Sequence, residues 1–528
     1  MTAGELTPTS YKSAITGRGA QLWQESMDKE INSCEADKTW TLVKRDSLPA
    51  NTSVLRCNWV YKIKTDVDGE LAQRKSRITI DGRYQQFGIN YNETFAHTGK
   101  YKTMRLGLSL AANQDLEIEQ LDVPSAFLKA ELDEHVYMEL PQGYGKPGYV
   151  VRLLKSLYGL KQAPRNWYLM CSKFIISMGY KATISDPCLF YKRSKSGRIM
   201  LLFLFVDDMQ GIYNKTDAAE WNEVKLKLKD EYNIKDLGET KFFLGMCITR
   251  NRIKKTIKIS QELYVEQALE RFNMTKCKPA RTPEIKGDYS TVGTKGDGGD
   301  GFTPHKQYME LVGTLLYAAI TTRPDISHAV HNLTQHMQNP QHRHRVAANR
   351  VLQYLSGTRT DGITFGGHST DTTNAITEAY TDADWATCKS TRKSVTGWAV
   401  KVNGDLISWT SKKQSVVALS SCEAELYAES AAIQEIIWQR AMLQELGFDQ
   451  SKPSIIHEDN QSTITISKNG IKNDRTKHVA IKYHFVTDCI NNNNIKLEWI
   501  SSEDQQADIF TKALGAIKHA KLKHLLMN

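Results

Sequence analysis

The stretch I-M-L-L-F-L-F-V-D-D-M, residues 199–209, decides how this chain folds. Every residue from Ile199 to Val206 is apolar, and the run then stops on Asp207 and Asp208. Its length suits a single strand buried on both faces and falls well short of the roughly 18 residues that cross a bilayer. Burying an unpaired carboxylate is costly, so a strand ending on two acids calls for a partner, most often a divalent metal. A turn capped by an Asp-Asp pair is the plainer alternative. Neighbouring strand residues face opposite ways, so both acids serve one site only across a tight hairpin, which Met209-Gln210-Gly211 is expected to supply. Asp207 is then the closer ligand and Asp208 the secondary one. Another strand-end acid, Asp122 in Q-L-D-V-P-S-A-F-L, is expected to complete the set.

The chain around this strand has 528 residues, enough for about three or four domains. With 40% hydrophobic and 24% charged residues it has the composition of a soluble globular protein. Its 9 cysteines include no C-x-x-C pair, which points to free thiols and away from a zinc ribbon or a disulfide framework. The N-terminus M-T-A-G-E-L-T-P-T-S lacks a secretory signal pattern. A formal charge of +10 suits a polyanionic partner without deciding for one.

Residues 1–21 read as a flexible tail, followed by a helix with Leu22, Trp23, Met27 and Ile31 on one face. Val54 to Ile80 reads as a β-hairpin turning at Asp68-Gly69. The D-V-D-G there lacks the further ligands of a calcium loop, and G-Y-G-K-P-G at 143–148 contains a proline and opens no helix, so neither motif is accepted. The Gly- and Asp-rich run 284–301 reads as a flexible linker, and Tyr308 to Leu355 as a helical block. The spacing of His328, His331, His336, His342 and His344 fits no zinc site, so solvated or nucleic-acid-facing histidines are expected. Beyond about Glu378, strands and helices alternate. Four acids there, in Y-T-D-A-D-W, S-S-C-E-A-E-L-Y-A, H-E-D-N-Q-S and Q-Q-A-D-I-F-T-K, lie at expected strand ends or helix starts. Such a series is what a two-metal nuclease needs around one phosphate.

In their order and spacing, L-D-V-P-S-A-F-L, L-Y-G-L-K-Q-A-P-R-N-W and F-V-D-D-M resemble the reverse transcriptase of copia-type retrotransposons. W-V-Y-K-I-K, Y-N-E-T-F-A and L-G-E-T-K-F-F-L-G extend the likeness over most of residues 22–283, and S-W-T-S-K-K-Q-S-V-V-A-L-S-S resembles the RNase H domain of the same elements. The resemblance implies an α+β fold: a right-hand polymerase with fingers, ferredoxin-like palm and thumb, joined by a helical connection to an α/β RNase H-like domain. The expected bounds are polymerase 22–283, linker 284–301, connection 302–376 and nuclease 377–528. The protease and integrase regions that such a polyprotein carries are not expected in this chain.

Carried over by residue, the resemblance makes Asp122, Asp207 and Asp208 the polymerase metal ligands. It makes Phe127 the ring that crowds a sugar 2′-hydroxyl. Tyr158-Gly159 becomes the loop beneath the templating base pair, and Leu244-Gly245 the segment gripping the primer end. Lys62, Lys64, Lys75 and Arg77 are placed to reach the triphosphate. Asp382, Glu425, Asp459 and Asp508 become the nuclease ligands, with Glu423 and Asp384 as weaker neighbours. The implied cofactor is Mg2+, two per active site, with Mn2+ as an alternative. The implied partners are an RNA template, a DNA primer, RNA/DNA hybrid and dNTPs, with no membrane and an open oligomeric state. The implied location is intracellular, in a cytoplasmic virus-like particle and later the nucleus. The chain departs from the family in the fingers, where K-S-R-I-T-I-D-G carries Asp81, and at His97-Thr98 and Cys422. The expected function is RNA-directed DNA synthesis with degradation of the hybrid's RNA strand. The alternative is a domesticated or decayed element that binds nucleic acid without catalysis.

Overall fold

The strand Ile199–Phe205 is buried from Ile199 to Leu204 and lies inside a six-stranded sheet. The order across that sheet is Lys235–Glu239, Glu117–Asp122, Asp208–Tyr213, Ile199–Phe205, Leu189–Arg193 and Lys181–Ala182. Both faces of the strand are covered, which is why its sequence is apolar without alternation. Leu201 and Phe203 pack with the helix Tyr101–Asn113 on one face. Met200, Leu202 and Leu204 pack on the other with Trp167 and Trp221, from helices Ala163–Ser177 and Ala218–Tyr232. Helix and sheet approach closely here, because a Cβ on Gly211 would come within 2.1 Å of the Trp221 ring.

The structure is a computed structural model and describes residues 7–17, 19–65, 71–285, 305–367, 375–388, 390–469 and 477–528. The turn expected at Asp68-Gly69 and residues 286–301 of the expected linker lie outside the described residues. The arms of the fingers hairpin, Cys57–Thr65 and Leu71–Ile80, pair antiparallel, and the helix Ala20–Ala36 packs Trp23, Met27 and Ile31 against it. Leu22 is 44% exposed and leaves the expected stripe, since adjacent helical residues sit about 100° apart. The segment read as a flexible tail carries the helix Tyr11–Thr16, closed by a Ser10–Ser13 capping box that buries Ala14.

A second sheet joins Phe242–Phe243, Met246–Asn251, Thr256–Ser260 and Gly362–Gly366, so the connection contributes a strand as well as helices. Its helices are His305–Thr321, Ser327–Thr334 and His342–Gly357. The histidines there are mostly packed, which corrects the solvated reading. His328 is buried against Glu284, and His331 accepts the Lys413 N–H at 3.1 Å. His336 and His344 stack with ring centroids 3.8 Å apart. Glu284, expected to open a flexible linker, is itself buried by this contact.

The C-terminal sheet runs Asp405–Lys413, Val395–Val402, Thr377–Asp384, Ser454–Glu458, Ile495–Trp499. Its first three strands pair antiparallel and the last two add in parallel. The long helix Ser421–Glu445 crosses it. This sheet is docked on the palm. The fully buried Arg105 guanidinium donates to the carbonyls of Ile407 at 2.6 Å, Thr321 at 2.9 Å and Ile320 at 3.1 Å. Lys102 pairs with Glu435 at 2.7 Å beneath the Trp438 ring, whose indole N–H donates to Ser185 at 2.9 Å. One apolar core runs from Leu201 and Phe203 to Tyr380, Ile407 and Phe510.

Replacing Arg105 with Met should destabilise the chain by about 2–4 kcal/mol, because three inward carbonyls lose their donor. Denaturant unfolding of both forms measures this. A variant as stable as the parent would show that the guanidinium does not hold the joint.

Candidate active sites

Asp122 ends its strand directly opposite Asp208, which opens the neighbouring one. Phe205 pairs with Asp208, leaving Val206-Asp207 as a two-residue turn. The Asp207 carbonyl accepts the Val123 N–H at 2.9 Å, tying the turn to the chain just beyond Asp122. Three acids thus gather at one corner of the sheet. The turn was expected at Met209-Gln210-Gly211, but those residues continue the strand. Val206 makes the turn instead with φ 57, a left-handed conformation that is costly for a β-branched residue. Its carbonyl accepts the Trp167 indole N–H at 2.6 Å, so helix packing holds the strained residue in place. The Gln120 amide reaches Asp208 at 3.4 Å.

Phe127 lies in the 3-10 turn Ala126–Lys129 and meets the Tyr158 ring edge-on at 5.1 Å. Arg77 covers the same tyrosine with its guanidinium 4.5 Å from the ring centroid. The Tyr158 carbonyl accepts the Ile80 N–H at 2.7 Å, and Gly159 follows at φ 94, where a Cβ would come within 2.1 Å of the Ile80 carbonyl. Glycine is required there. Fingers, loop and Phe127 therefore form one contact cluster, to which Arg77 contributes a basic group. Lys62 and Lys75 face each other across the hairpin, and Lys64 sits opposite Gln73. The buried Glu30 carboxylate lies close enough to Lys75 and Arg77 to feel both charges. Leu244 and Gly245 form a two-residue turn at φ 48 and 76, and the Tyr317 hydroxyl donates to the Leu244 carbonyl at 2.7 Å.

Asp382, Glu425 and Asp459 each bring a carboxylate oxygen within 4.8 Å of the others, a grouping that no other acids, histidines or cysteines make among the described residues. They come from a central strand, the first turns of the helix Ser421–Glu445 and the residue after Ser454–Glu458. Glu423 instead closes that helix: its carboxylate accepts the Leu419 N–H at 2.7 Å. Asp459 accepts the Ser502 hydroxyl at 2.7 Å, and its carbonyl takes the Trp499 indole N–H at 3.2 Å.

Asp508 stands outside the grouping. Its carboxylate takes the Lys512 ammonium at 2.8 Å and also that of Lys518, while Lys512 reaches Asp382 at 3.1 Å. The Thr511 hydroxyl donates to Asp382. Thr511, Lys512 and Lys518 were not singled out in the sequence, although a lysine four residues beyond Asp508 was the available signal.

Burial dominates the electrostatics of this site. It pushes Asp382 up to about 7, with Lys512 opposing the shift and Asp508 adding to it. Burial, then the Glu458 charge, raises Glu425 well above the usual carboxylate range. Glu458 is raised likewise by burial and by Glu429, which burial alone pushes up to about 8. Neither Glu429 nor Glu458 was marked by the sequence reading. Asp384 is raised by burial, with Lys512 and His328 opposing.

Residues 37–286 match the family described as reverse transcriptase (RNA-dependent DNA polymerase). The chain is 39% identical over 98% of its length to the "Retrovirus-related Pol polyprotein from transposon TNT 1-94" of Nicotiana tabacum. It is 35% identical over 96% to the corresponding polyprotein from transposon RE1 of Arabidopsis thaliana. Over nearly its whole length the chain is similar to copia-type retrotransposon Pol polyproteins. It spans 39% of the tobacco polyprotein and 34% of the Arabidopsis one. The foamy viral protease-reverse transcriptase, solved in complex with RNA/DNA hybrid, superposes with a TM-score of 0.50 at 10% identity, over 90% of this chain and 53% of that one. That likeness shows an α+β polymerase fold. No helix among the described residues is long and apolar enough to cross a membrane.

The raised Asp382 carries a pH consequence. Unfolded, it loses its proton near the ordinary value of about 4; folded and metal-free, it keeps the proton to about 7. The native state therefore holds more protons in that window, and this group's contribution to stability falls as pH rises through it. In EDTA, the Asp382→Asn variant should gain in melting temperature relative to the parent as pH goes from about 5 to about 7.5. A gap that is constant with pH would refute the shift.

Proposed function

We propose that this copia-type chain is an RNA-directed DNA polymerase whose C-terminal sheet carries an RNase H that degrades the RNA strand of RNA/DNA hybrids. The observation that carries the reading is the facing of Asp122 and Asp208 across adjacent strands with Asp207 in the intervening turn. Carboxylate oxygens are hard donors that suit Mg2+, with Mn2+ as an alternative. At the nuclease site the fit is supported by the three converging oxygens and by a buried Glu425 oxygen without a hydrogen-bond partner. Asp122, Asp207 and Asp208 would hold the ions of one site, and Asp382, Glu425, Asp459 and Asp508 those of the other. Divalent ions bound there supply neutralisation of the charge that builds on a phosphate under attack.

The chain's other residues would bind and orient. Phe127, wedged against Tyr158, is placed to exclude a 2′-hydroxyl and so to favour dNTPs. Arg77 would hold a phosphate while fixing Tyr158 by its cation–π contact. Lys62, Lys64 and Lys75 would add positive charge along the same hairpin for the triphosphate. The Gly159 backbone would underlie the templating pair, and the Leu244-Gly245 turn would press the primer end. The partners are then an RNA template, a DNA primer and their hybrid, inside an intracellular particle.

Primer extension on an RNA template in Mg2+ tests the polymerase. Asp122→Asn and Asp207→Asn should each abolish extension with the fold intact, and near-parental extension by Asp207→Asn would overturn the assignment. Phe127→Ala should admit rNTPs, whereas unchanged discrimination would remove Phe127 from that role.

Asp382→Asn and Glu425→Gln should stop cleavage of the hybrid's RNA strand, leave synthesis nearly intact, and contrast with a tolerated Glu423→Gln. If Glu423→Gln were the inactive variant, the nuclease ligand would be the wrong glutamate.

A further inference from the structure

The nuclease site contains its own cations. Both carboxylate oxygens of Asp508 are taken by ammonium groups, Oδ1 by Lys512 at 2.8 Å and Oδ2 by Lys518. Lys512 bridges onward to Asp382 Oδ1 at 3.1 Å, so its charge lies between two acids expected to share a metal. Lys518 is anchored a second time, donating to the Ser502 carbonyl at 2.7 Å. The remaining acids, Asp382, Glu425 and Asp459, form a separate grouping within 4.8 Å that excludes Asp508. Asp382 belongs to both sets through its two oxygens, with Thr511 on Oδ2 and Lys512 on Oδ1.

The charge balance is informative. Once a bound ion displaces the protons that burial keeps on Asp382 and Glu425, the four carboxylates carry four negative charges and the two lysines return two positive ones. The residue of two negative charges is what one divalent ion neutralises. Without the lysines, two such ions would be required. The side chains differ in exposure as well: Asp382 and Asp508 are 1% and 3% exposed, but Lys512 is 36% exposed. A long, flexible, partly solvated lysine can leave the gap while the acids stay fixed.

We propose that Lys512 is the resident cation of the second metal position, so that the free protein takes one divalent ion at Asp382, Glu425 and Asp459, and a second enters between Asp382 and Asp508 only by displacing the Lys512 ammonium. The nuclease is then poised with one ion, and filling of the second position is coupled to whatever draws Lys512 away. A phosphate of the bound hybrid has the charge to do so. This assignment rests on the nuclease reading given above.

The test counts Mn2+ ions on the full chain carrying Asp122→Asn and Asp207→Asn, which remove the polymerase ligands, by electron paramagnetic resonance and calorimetry without nucleic acid. One ion should bind, and adding Asp382→Asn should remove it. Adding Lys512→Met instead should bring in a second ion, or tighten its binding roughly tenfold or more. Lys512→Arg, which retains the charge, should keep the count at one. Two ions of similar affinity on the chain with Lys512 intact would overturn the proposal, even if Lys512→Met failed to fold. An unchanged count in a folded Lys512→Met protein would overturn it too. Hybrid cleavage by the unaltered chain in Mg2+ is scored separately. No cleavage together with the expected counts would reject the nuclease reading and leave the cation assignment standing. Cleavage with counts unmoved by Lys512→Met would do the reverse.

Discussion

Arg105 is the interaction on which the arrangement of this molecule depends. Its guanidinium is fully buried and meets no carboxylate within its three hydrogen bonds; it is satisfied by carbonyls from the connection and the C-terminal sheet. Burial, opposed by the Glu435 charge, brings its pKa down to about 9, yet it stays charged at neutral pH. Its Cζ also lies 4.2 Å from the centroid of the Trp409 ring, an electrostatic contact that a neutral side chain of the same length would forfeit. Around it Ser109 and Asn113 donate to Asp405, at 2.6 and 2.9 Å. The helix Tyr101–Asn113 thus presents polar groups to the nuclease sheet and apolar ones to the palm. One helix joins the two acid-bearing sheets.

The two acid clusters solve one problem in different ways. At the polymerase corner the acids are half-exposed, and a strained Val206 turn under Trp167 sets their spacing. In the C-terminal cluster they are buried among further carboxylates, and charge balance is maintained by protonation and lysines. Solvent limits repulsion in the first case and proximity of ammonium groups limits it in the second.

Much of this was readable in the chain. An apolar run ending on acids yields a buried strand with a charged tip because few alternatives satisfy both constraints, and the fingers hairpin announces itself by alternation. The turn was misplaced because a search for glycine overlooks a valine whose strain is offset by a tryptophan remote in sequence. Lys512 was legible as a position and not as a role, since only the fold sets Asp382 beside Asp508. The palm–nuclease joint left no local trace: Lys102, Ser185, Glu435 and Trp438 look like ordinary surface residues until the helices that carry them meet. The histidines failed for a related reason, because helical spacing says nothing about which neighbouring layer covers them.

The shared core also bears on how such an element decays. With Leu201 and Phe203 in the same apolar cluster as Ile407 and Phe510, a premature stop ahead of the C-terminal sheet would not release a working polymerase. It would uncover the face of the helix Tyr101–Asn113 that Asp405 and Trp409 now shield, and leave Arg105 buried against fewer acceptors. Truncated genomic copies should therefore yield chains that aggregate or are cleared, and few that compete for templates. Point mutations that spare the joint leave this shared core intact and are the gentler route of decay.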